Sequence, residues 1–434
     1  PRNVSRLRRS PESKANKIGK WSCSFNRGLG CKKIGIGAFL VLWGYAFVFL
    51  HRSAERSKQP AGGNHIRFSI KGSQKPTHVN ISAERRSMSK TTVDKIDSIG
   101  AAGAAPVIGT YALWKSSEVV YSIPTTKTKP IGIALLLHAC THNALKFFSP
   151  SSRKCQKCVG LSEEIRISRM LLSRGYAVLA ITSSNRKSGC WGGTLDSRNV
   201  QDSIVRFRKL LLDEFQITSS SIVIAVGASS GGGFAAQLAA DGIADAALMM
   251  VSSLGPAIQT RMLLAAMEEH GRKIPPLYLA PMPRDAGTTK AARRGYDAMT
   301  REGHKRDPNM DVPIVLDETS CVSLPVTVGF LNERVPHMSY DMAVLIVNAL
   351  RKHGHLDLRS GGYLVKDPTK SDWRIVLQNE CGDVCLRNQP LGPGLSPLAK
   401  ALHRAWAFHE YCSEVVFLAL DFFELELGIQ HVVE

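Results

Sequence analysis

The segment SIVIAVGASSGGGFAAQLAA, residues 221–240, runs from a short apolar stretch through a Gly-Ala-Ser-Ser-Gly corner into a series of small residues. The apolar stretch predicts a strand buried on both faces, and the small residues predict a helix packed closely against it. At such a corner Gly227 and Gly231 avoid the collisions that a side chain would make with the neighbouring strand and helix. The serine between them, Ser229, would therefore stand exposed at the end of a buried strand.

Strand-like and helix-like segments alternate on both sides of this corner. Further apolar strands are predicted at residues 131–139, 176–184, 246–253, 275–282 and 312–320. Segments with helical spacing lie at residues 160–175, 196–215 and 288–302. Strand and helix alternate at least five times, which predicts an α/β domain with a mostly parallel, doubly wound sheet over residues 106–427.

The alternation stops between Cys321 and the apolar segment 412–427, which is predicted to be a last helix closing the edge of the sheet. Residues 322–400 therefore form an insert, either a surface subdomain or a lid over the site. A helix is expected at residues 340–353, and a small β-turn-β unit is predicted at residues 362–377.

The N-terminal quarter of the chain, residues 1–105, has a different composition. Residues 1–33 hold ten Lys or Arg against a single acid, and residues 34–50, IGIGAFLVLWGYAFVFL, carry no charge. Seventeen uncharged residues are at the short end of what spans a bilayer, so a buried core helix and a cleaved signal peptide stay open. The charge asymmetry favours a single-pass signal anchor, with the basic tail cytoplasmic and the rest of the chain lumenal.

Residues 51–105 are rich in Ser, Lys, Arg, Gly and Ala without periodicity and are predicted to be a disordered stalk. Asn80, in Asn-Ile-Ser, is a glycosylation acceptor that would be modified in a lumenal stalk. This topology makes the lipid bilayer a partner through residues 34–50.

The chain has a formal net charge of +20 and a pI near 9.7, values that raise nucleic acid as a partner. The excess is concentrated in the leader, however, and the remainder has no arginine-rich run and no basic stripe interleaved with aromatic residues. No nucleic-acid partner is therefore expected.

The corner at residues 227–231 has the Gly-x-Ser-x-Gly form that places a serine hydroxyl at the carboxyl edge of a parallel sheet. This predicts Ser229 as a nucleophile. The amide of Ser230, at the N-terminus of the next helix, would favour negative charge on an attacked carbonyl oxygen. A glycine turn kept for packing is the plain alternative, and a phosphate-binding loop is disfavoured because no GxxxxGK[ST] run is present.

With these residues the sequence resembles the α/β-hydrolase superfamily over roughly residues 107–427. The resemblance implies the order Ser, acid, His along the chain. Asp285, after the strand within residues 275–282, occupies the position of the acid, with a helix N-cap as its alternative role. His409, just before the last helix, is favoured as the histidine over His337, which is closer in sequence to the preceding strand.

The resemblance also implies an oxyanion hole at His138-Ala139-Cys140-Thr141, where members carry an HG-type motif. The amide of Cys140 or Thr141 would supply the second donor, although Ala139 stands where glycine is usual. This part of the chain is further similar to poorly characterised plant and algal hydrolase-like proteins, which bring no known substrate.

Two functional classes follow. The first is a membrane-anchored serine hydrolase that cleaves an ester, thioester or amide of a small-molecule or lipid acyl substrate and needs neither cofactor nor metal. The second is a catalytically inactive hydrolase-fold module that binds a partner at a membrane.

The ten cysteines fit an oxidising compartment. Two close pairs, Cys155 with Cys158 and Cys381 with Cys385, would suit disulfides, free thiols or, jointly, a four-thiolate zinc site. In a lumenal protein disulfides are favoured, although the pairing does not follow from the sequence.

Overall fold

The computed structural model describes residues 106–125, 129–215, 221–267, 273–308, 310–357, 359–386 and 396–429. The predicted basic tail, the predicted anchor at residues 34–50, the stalk and Asn80 lie outside these ranges. Within the described ranges, no helix combines the length and apolar character needed to cross a membrane.

Eight described strands form one sheet in the order β1-β2-β4-β3-β5-β6-β7-β8. The strands are β1 (Thr110–Trp114), β2 (Ser117–Ser122), β3 (Gly132–Leu137), β4 (Tyr176–Ile181), β5 (Ile222–Ala228), β6 (Ala246–Met250), β7 (Leu277–Ala280) and β8 (Ile314–Leu316). From β4 to β8 all neighbours are parallel, while β1 and β2 join antiparallel at one edge. The mostly parallel sheet predicted from the alternation is confirmed.

Helices cover both faces of this sheet, as the continuous apolar strands require. The helices before the insert are α1 (Ser162–Ser173), α2 (Gly193–Phe215), α3 (Ser230–Ala240), α4 (Pro256–Met267) and α5 (Ala286–Arg306). Along β5, Ile224 and Val226 point to a core shared with α1, whereas Val223 and Ala225 point to a core shared with α2 to α5. The strand that leads to the serine is thus fixed from both sides.

The insert folds as a helical subdomain, which we call the cap. It contains α6 (Val328–Arg334), α7 (Tyr340–Lys352), a two-stranded ribbon of β9 (Leu356–Asp357) and β10 (Tyr363–Leu364), α8 (Trp373–Leu386) and α9 (Pro397–Trp406). These elements enclose a hydrophobic core of their own. The predicted β-turn-β unit at residues 362–377 is wrong, because Trp373, Val376 and Leu377 are buried at helical spacing and belong to α8.

The cap is joined to the sheet domain by buried polar groups. The guanidinium of Arg334 contacts the carboxylates of Glu163 on α1 and Glu414, and Arg404 of α9 pairs with Glu414 at 2.8 Å. A disulfide between Cys321 and Cys412 closes the cap at its base. After Cys412 the chain enters α10 (Val416–Glu426), which packs on the same face as α1.

Candidate active site

Ser229 lies at the turn between β5 and α3 with a left-handed backbone, φ 55° and ψ −121°. An added Cβ would lie 2.4 Å from the carbonyl group of Gly231 if built on Gly227, and 2.2 Å from the Leu137 carbonyl oxygen if built on Gly231. Only glycine fits at these two positions, as the sequence predicted. The Ser229 amide donates to the carbonyl of Met250 at 3.0 Å, which fixes the turn to β6.

The structure brings Ser229, His409 and Asp285 into one hydrogen-bonded chain. His409 Nε2 lies 2.9 Å from Ser229 Oγ, and His409 Nδ1 lies 2.6 Å from Asp285 Oδ2. Since the carboxylate can only accept, Nδ1 carries the proton and Nε2 is free to accept from the serine hydroxyl. His337, the rival in the sequence, lies between α6 and α7 and forms no hydrogen bond to either partner among the described residues.

Asp285 also caps α5, so both of its predicted roles are occupied at once. Its Oδ1 accepts from the Thr288 amide at 3.2 Å, and its Oδ2 accepts from the Thr288 hydroxyl at 2.6 Å. Partial burial raises the pKa of this carboxyl, but the hydrogen bonds from Thr288 and His409 outweigh burial and lower the pKa below its ordinary value. Asp285 is therefore ionised at neutral pH.

The loop that carries His409 is held in place by contacts of its neighbours Glu410 and Tyr411. His409 has a left-handed backbone, φ 43°, which a non-glycine residue adopts only when its surroundings impose it. The buried Tyr411 hydroxyl donates to the Leu137 carbonyl at 3.0 Å, and the buried carboxylate of Glu410 lies 2.9 Å from the ammonium of Lys400 on α9. The cap thus contributes directly to the position of His409, while the side chain of His409 is 43% exposed to solvent.

The two sequence-predicted oxyanion donors after β3 are in different situations. The Thr141 amide already donates to the Ser188 carbonyl at 2.9 Å, which favours Cys140 over Thr141 as the second donor. The Cys140 amide has no protein acceptor among the described residues. Ser230 is the first residue of α3, where a helix leaves its amides without intrahelical partners. Of the three predicted donors, Cys140 and Ser230 therefore keep amides with no backbone acceptor among the described residues.

His138, which directly follows β3, is a structural histidine. Its Nδ1 lies 2.8 Å from the Ala139 carbonyl and its Nε2 accepts from the Ser183 amide at 2.9 Å. This pattern fixes the neutral tautomer with the proton on Nδ1. Burial lowers the pKa of His138 to about 4, despite the hydrogen bond to Ala139, which raises it.

A second buried pair, His142 with Glu164, lies close to Cys140 along the chain and was not predicted from the sequence. His142 Nδ1 lies 2.9 Å from Glu164 Oε1, and both side chains are almost fully buried. Burial lowers the pKa of His142 to about 3 and raises the pKa of Glu164 to about 7. His142 lies in the connection between β3 and α1, and Glu164 lies on α1. The two residues are 22 positions apart in the sequence, so their contact is visible only in the folded structure.

All eight cysteines in the described ranges are paired, in agreement with the preference for disulfides. The pairs are Cys140–Cys190, Cys155–Cys158, Cys321–Cys412 and Cys381–Cys385. Each close pair closes on itself, so the two pairs do not meet in a joint zinc site.

No protein-family model matches the chain, and no curated protein matches it. Among solved structures, the chain is similar to an acetyl xylan esterase from Aspergillus awamori, with 14% identity over 45% of this chain and 80% of that one, at a TM-score of 0.32. It is similar to acyl-protein thioesterase 2 from Zea mays, with 13% identity over 48% and 90% of the two chains, at a TM-score of 0.29. It is also similar to fluorophosphonate-binding serine hydrolase F of Staphylococcus aureus, with 12% identity over 49% and 90%, at a TM-score of 0.32.

At TM-scores this low the similarities carry no argument about function, which has to come from the geometry of the chain itself. The strand order, with two antiparallel strands at one edge, and a strained serine between β5 and α3 agree with the resemblance described from residues 221–240. The chain has the α/β-hydrolase fold.

Proposed function

We propose that the chain is a serine hydrolase that cleaves an ester, thioester or amide through an acyl-enzyme on Ser229. The observation that carries the proposal is the hydrogen-bonded chain from Ser229 through His409 to Asp285, with distances of 2.9 and 2.6 Å. A serine kept only for packing would need neither an imidazole at its hydroxyl nor a carboxylate behind that imidazole. No specific feature of the described residues favours the non-catalytic alternative.

In the proposed reaction Ser229 Oγ attacks the substrate carbonyl carbon while its proton passes to His409 Nε2. Asp285 keeps Nδ1 protonated and stabilises the imidazolium that forms. The carbonyl oxygen becomes negatively charged and accepts hydrogen bonds from the amides of Ser230 and Cys140. Collapse expels the alcohol, thiol or amine, which takes the proton from Nε2. Water then attacks the acyl-enzyme by the same steps and releases the acid.

We further propose that the hydrolase is anchored by residues 34–50 and faces the lumen, with Asn80 glycosylated in the stalk. The uncharged segment behind a basic leader supports this topology. The disulfides of the described domain also support it, because disulfides persist in oxidising compartments.

The proposal is tested by labelling the folded protein with a fluorophosphonate probe. Labelling is expected in the wild type, lost in Ser229→Ala and strongly reduced in His409→Ala. His337→Ala is the matched control and should label like the wild type. A folded wild type that does not label would contradict the proposal and favour the non-catalytic module. Loss of labelling in His337→Ala, with His409→Ala unaffected, would contradict the assignment of the histidine.

A further inference from the structure

Two segments meet beside Ser229. Residues 138–142, here called the oxyanion segment, follow β3 and lie against the serine turn, since a Cβ on Gly231 would collide with the carbonyls of Leu137 and His138. Residues 185–191, here called the clamp loop, follow β4 and precede α2. The two segments are joined covalently by the disulfide between Cys140 and Cys190.

Noncovalent contacts reinforce this junction. The Thr141 amide donates to the Ser188 carbonyl at 2.9 Å, and Trp191 Nε1 donates to the His138 carbonyl at 2.8 Å. Gly189 has φ +63°, and a Cβ there would lie 2.8 Å from the Thr141 amide nitrogen. The clamp loop therefore approaches the backbone of the oxyanion segment as closely as glycine allows.

The clamp loop is itself firmly held. Asp196 is 1% exposed, and its carboxylate accepts from the Ser184 amide at 2.7 Å and from the Gly192 amide at 2.9 Å, which ties the two ends of the loop together. The Trp191 ring stacks on Phe234 of α3, with centroids 4.9 Å apart. The clamp loop is thus anchored on α3, and it in turn holds the oxyanion segment.

Within the oxyanion segment, few contacts fix the backbone at Cys140. Ala139 replaces the glycine usual in this motif, and within the segment the turn is closed by the His142 amide donating to the Ala139 carbonyl at 3.1 Å. Among described residues, the Cys140 amide has no acceptor to fix its direction. The hydrogen bonds described above involve the neighbours of Cys140, whereas Cys140 itself is held by its disulfide to Cys190.

We propose that Cys140 and Cys190 are positioning residues whose disulfide holds the Cys140 amide where it meets the oxyanion, so that full turnover requires the oxidised pair. The inference rests on the proposed hydrolase function and adds to it a dependence on the redox state of one particular bond.

Among the four described disulfides, Cys140–Cys190 is the one in which both cysteines are half-buried. Cys155, Cys158, Cys321 and Cys412 are buried, and in the cap disulfide Cys381 is half-buried but its partner Cys385 is fully buried. In mild dithiothreitol, a reductant thiolate attacks one sulfur of this half-buried pair to form a mixed disulfide. The second thiol of the reductant then displaces the protein sulfur, which leaves two protein thiols and the cyclic oxidised reductant, a two-electron exchange. Cys140–Cys190 is expected to be reduced first.

The test measures kcat and KM for p-nitrophenyl acetate in the wild type, with and without mild dithiothreitol, and in the double variant Cys140→Ser/Cys190→Ser. Removing an oxyanion donor costs about 10²- to 10³-fold in kcat, and a donor that is present but poorly held should cost about 10-fold. The expected result is a kcat about 10-fold lower in the reduced wild type and in the double variant, with KM changed less than about twofold. The double variant should not respond to the reductant, and removal of the reductant in air should restore the wild type.

The matched control is Cys381→Ser/Cys385→Ser, which removes the cap disulfide. It should keep the wild-type kcat and the wild-type sensitivity to dithiothreitol. Mass mapping of alkylated cysteines identifies the bond that was reduced, and circular dichroism verifies the fold. If the double variant does not fold, the reversible loss in the reduced wild type decides alone.

An unchanged kcat in the folded double variant would overturn the inference, as would a reductant effect that persists in that variant. Failure of the proposed function has a different signature, because a wild type without Ser229-dependent turnover fails before any reductant is added. That outcome would overturn both proposals.

Discussion

Ser229 owes its position to its neighbours on either side. A serine at φ 55° is held in a conformation that costs on the order of 1–3 kcal/mol, and the two flanking glycines let β5 and α3 come close enough to impose it. The strain exposes the hydroxyl to His409 and leaves the Ser230 amide at the helix start. The same geometry that makes this residue unfavourable for folding makes it suitable as a nucleophile.

Asp285→Asn should lower kcat by about 10³- to 10⁴-fold with little change in stability. An asparagine amide in place of the carboxylate would donate to the imidazole, so that His409 would carry its proton on Nε2 and could not accept the serine proton. Steady-state hydrolysis of a soluble ester measures the change. Asp202→Asn, in an exposed pair with Lys115, is the control and should be silent. A loss smaller than about 10-fold would contradict the proposed role of Asp285.

His138 should make the fold sensitive to acid. Its pKa is about 4 in the folded protein and about 6.5 when unfolded, so between these values the unfolded state binds a proton that the folded state does not. This contribution to stability is complete above pH 6.5 and declines as pH falls, by about 2 kcal/mol at pH 5.

Urea unfolding at pH 7.5 and pH 5 measures this effect in the wild type and in His138→Gln. The variant should lose less stability between the two pH values, by about 2 kcal/mol, because the difference between the two proteins removes the contributions of His142 and Glu164. Parallel losses in the two proteins would contradict a buried neutral His138.

For single residues, the sequence predicts the location of a side chain when that location is set by the end of one predicted strand. Ser229 and Asp285 follow the ends of β5 and β7, so their place at the carboxyl edge follows from the alternation alone. The choice between His409 and His337 depends on how the cap folds back, and the choice between Cys140 and Thr141 depends on Ser188, a contact with another loop. The spacing of residues along the chain does not show these contacts between distant segments, so the sequence alone decides neither choice.

In the eight-stranded sheet, the strands that the sequence did not predict are β1 and β2. Both are partly exposed, and β2 begins and ends with serine and contains a glutamate, so neither has the continuous apolar run that marks β3 or β5. The misreading of α8 has a related cause, since Pro368 and Asp372 suggest a turn before Trp373 but not which element follows. The secondary structure of such short segments is decided by their tertiary contacts and not by their local sequence.

The junction between cap and sheet domain depends on Arg334. Its guanidinium is buried between the carboxylates of Glu163 and Glu414, and these charges raise the arginine pKa although burial opposes them. Without Arg334 the buried carboxylate of Glu163 loses the cation that contacts it, while Glu414 keeps its pair with Arg404. Breaking a buried ion pair by removing one partner costs about 3–5 kcal/mol. Arg334→Leu should therefore lower the free energy of unfolding by that amount.

Urea unfolding followed by circular dichroism measures the change. Lys352→Met is the matched control, because Lys352 forms a solvent-exposed pair with Glu380 in the same cap, and such pairs contribute about 1 kcal/mol or less. Equal losses in the two variants would show that the Arg334 cluster does not hold the cap.

For the whole molecule, the charge and the chemistry lie in different parts of the chain. Residues 1–105 contain 20 of the 56 Lys and Arg but only 5 of the 36 acids, so the remaining residues are close to balance. The high pI therefore belongs to the predicted tail and stalk rather than to the hydrolase domain. A basic leader is typical of the cytoplasmic side of a bilayer, whereas the near-neutral charge of the folded domain does not favour an anionic substrate.

The position of the cap predicts how the whole molecule should respond to an insoluble substrate. A lid that opens on lipid has to move, but this cap is fixed by the Arg334 cluster, by Cys321–Cys412 and by Lys400 beneath the His409 loop. The side chain of His409 is already 43% exposed, so substrate does not have to displace the cap to reach it. We expect the hydrolysis rate of tributyrin to rise smoothly through its solubility limit. A lipase with a mobile lid, assayed in parallel, should show a sharp increase there, and the same increase in this protein would mean that the cap opens after all.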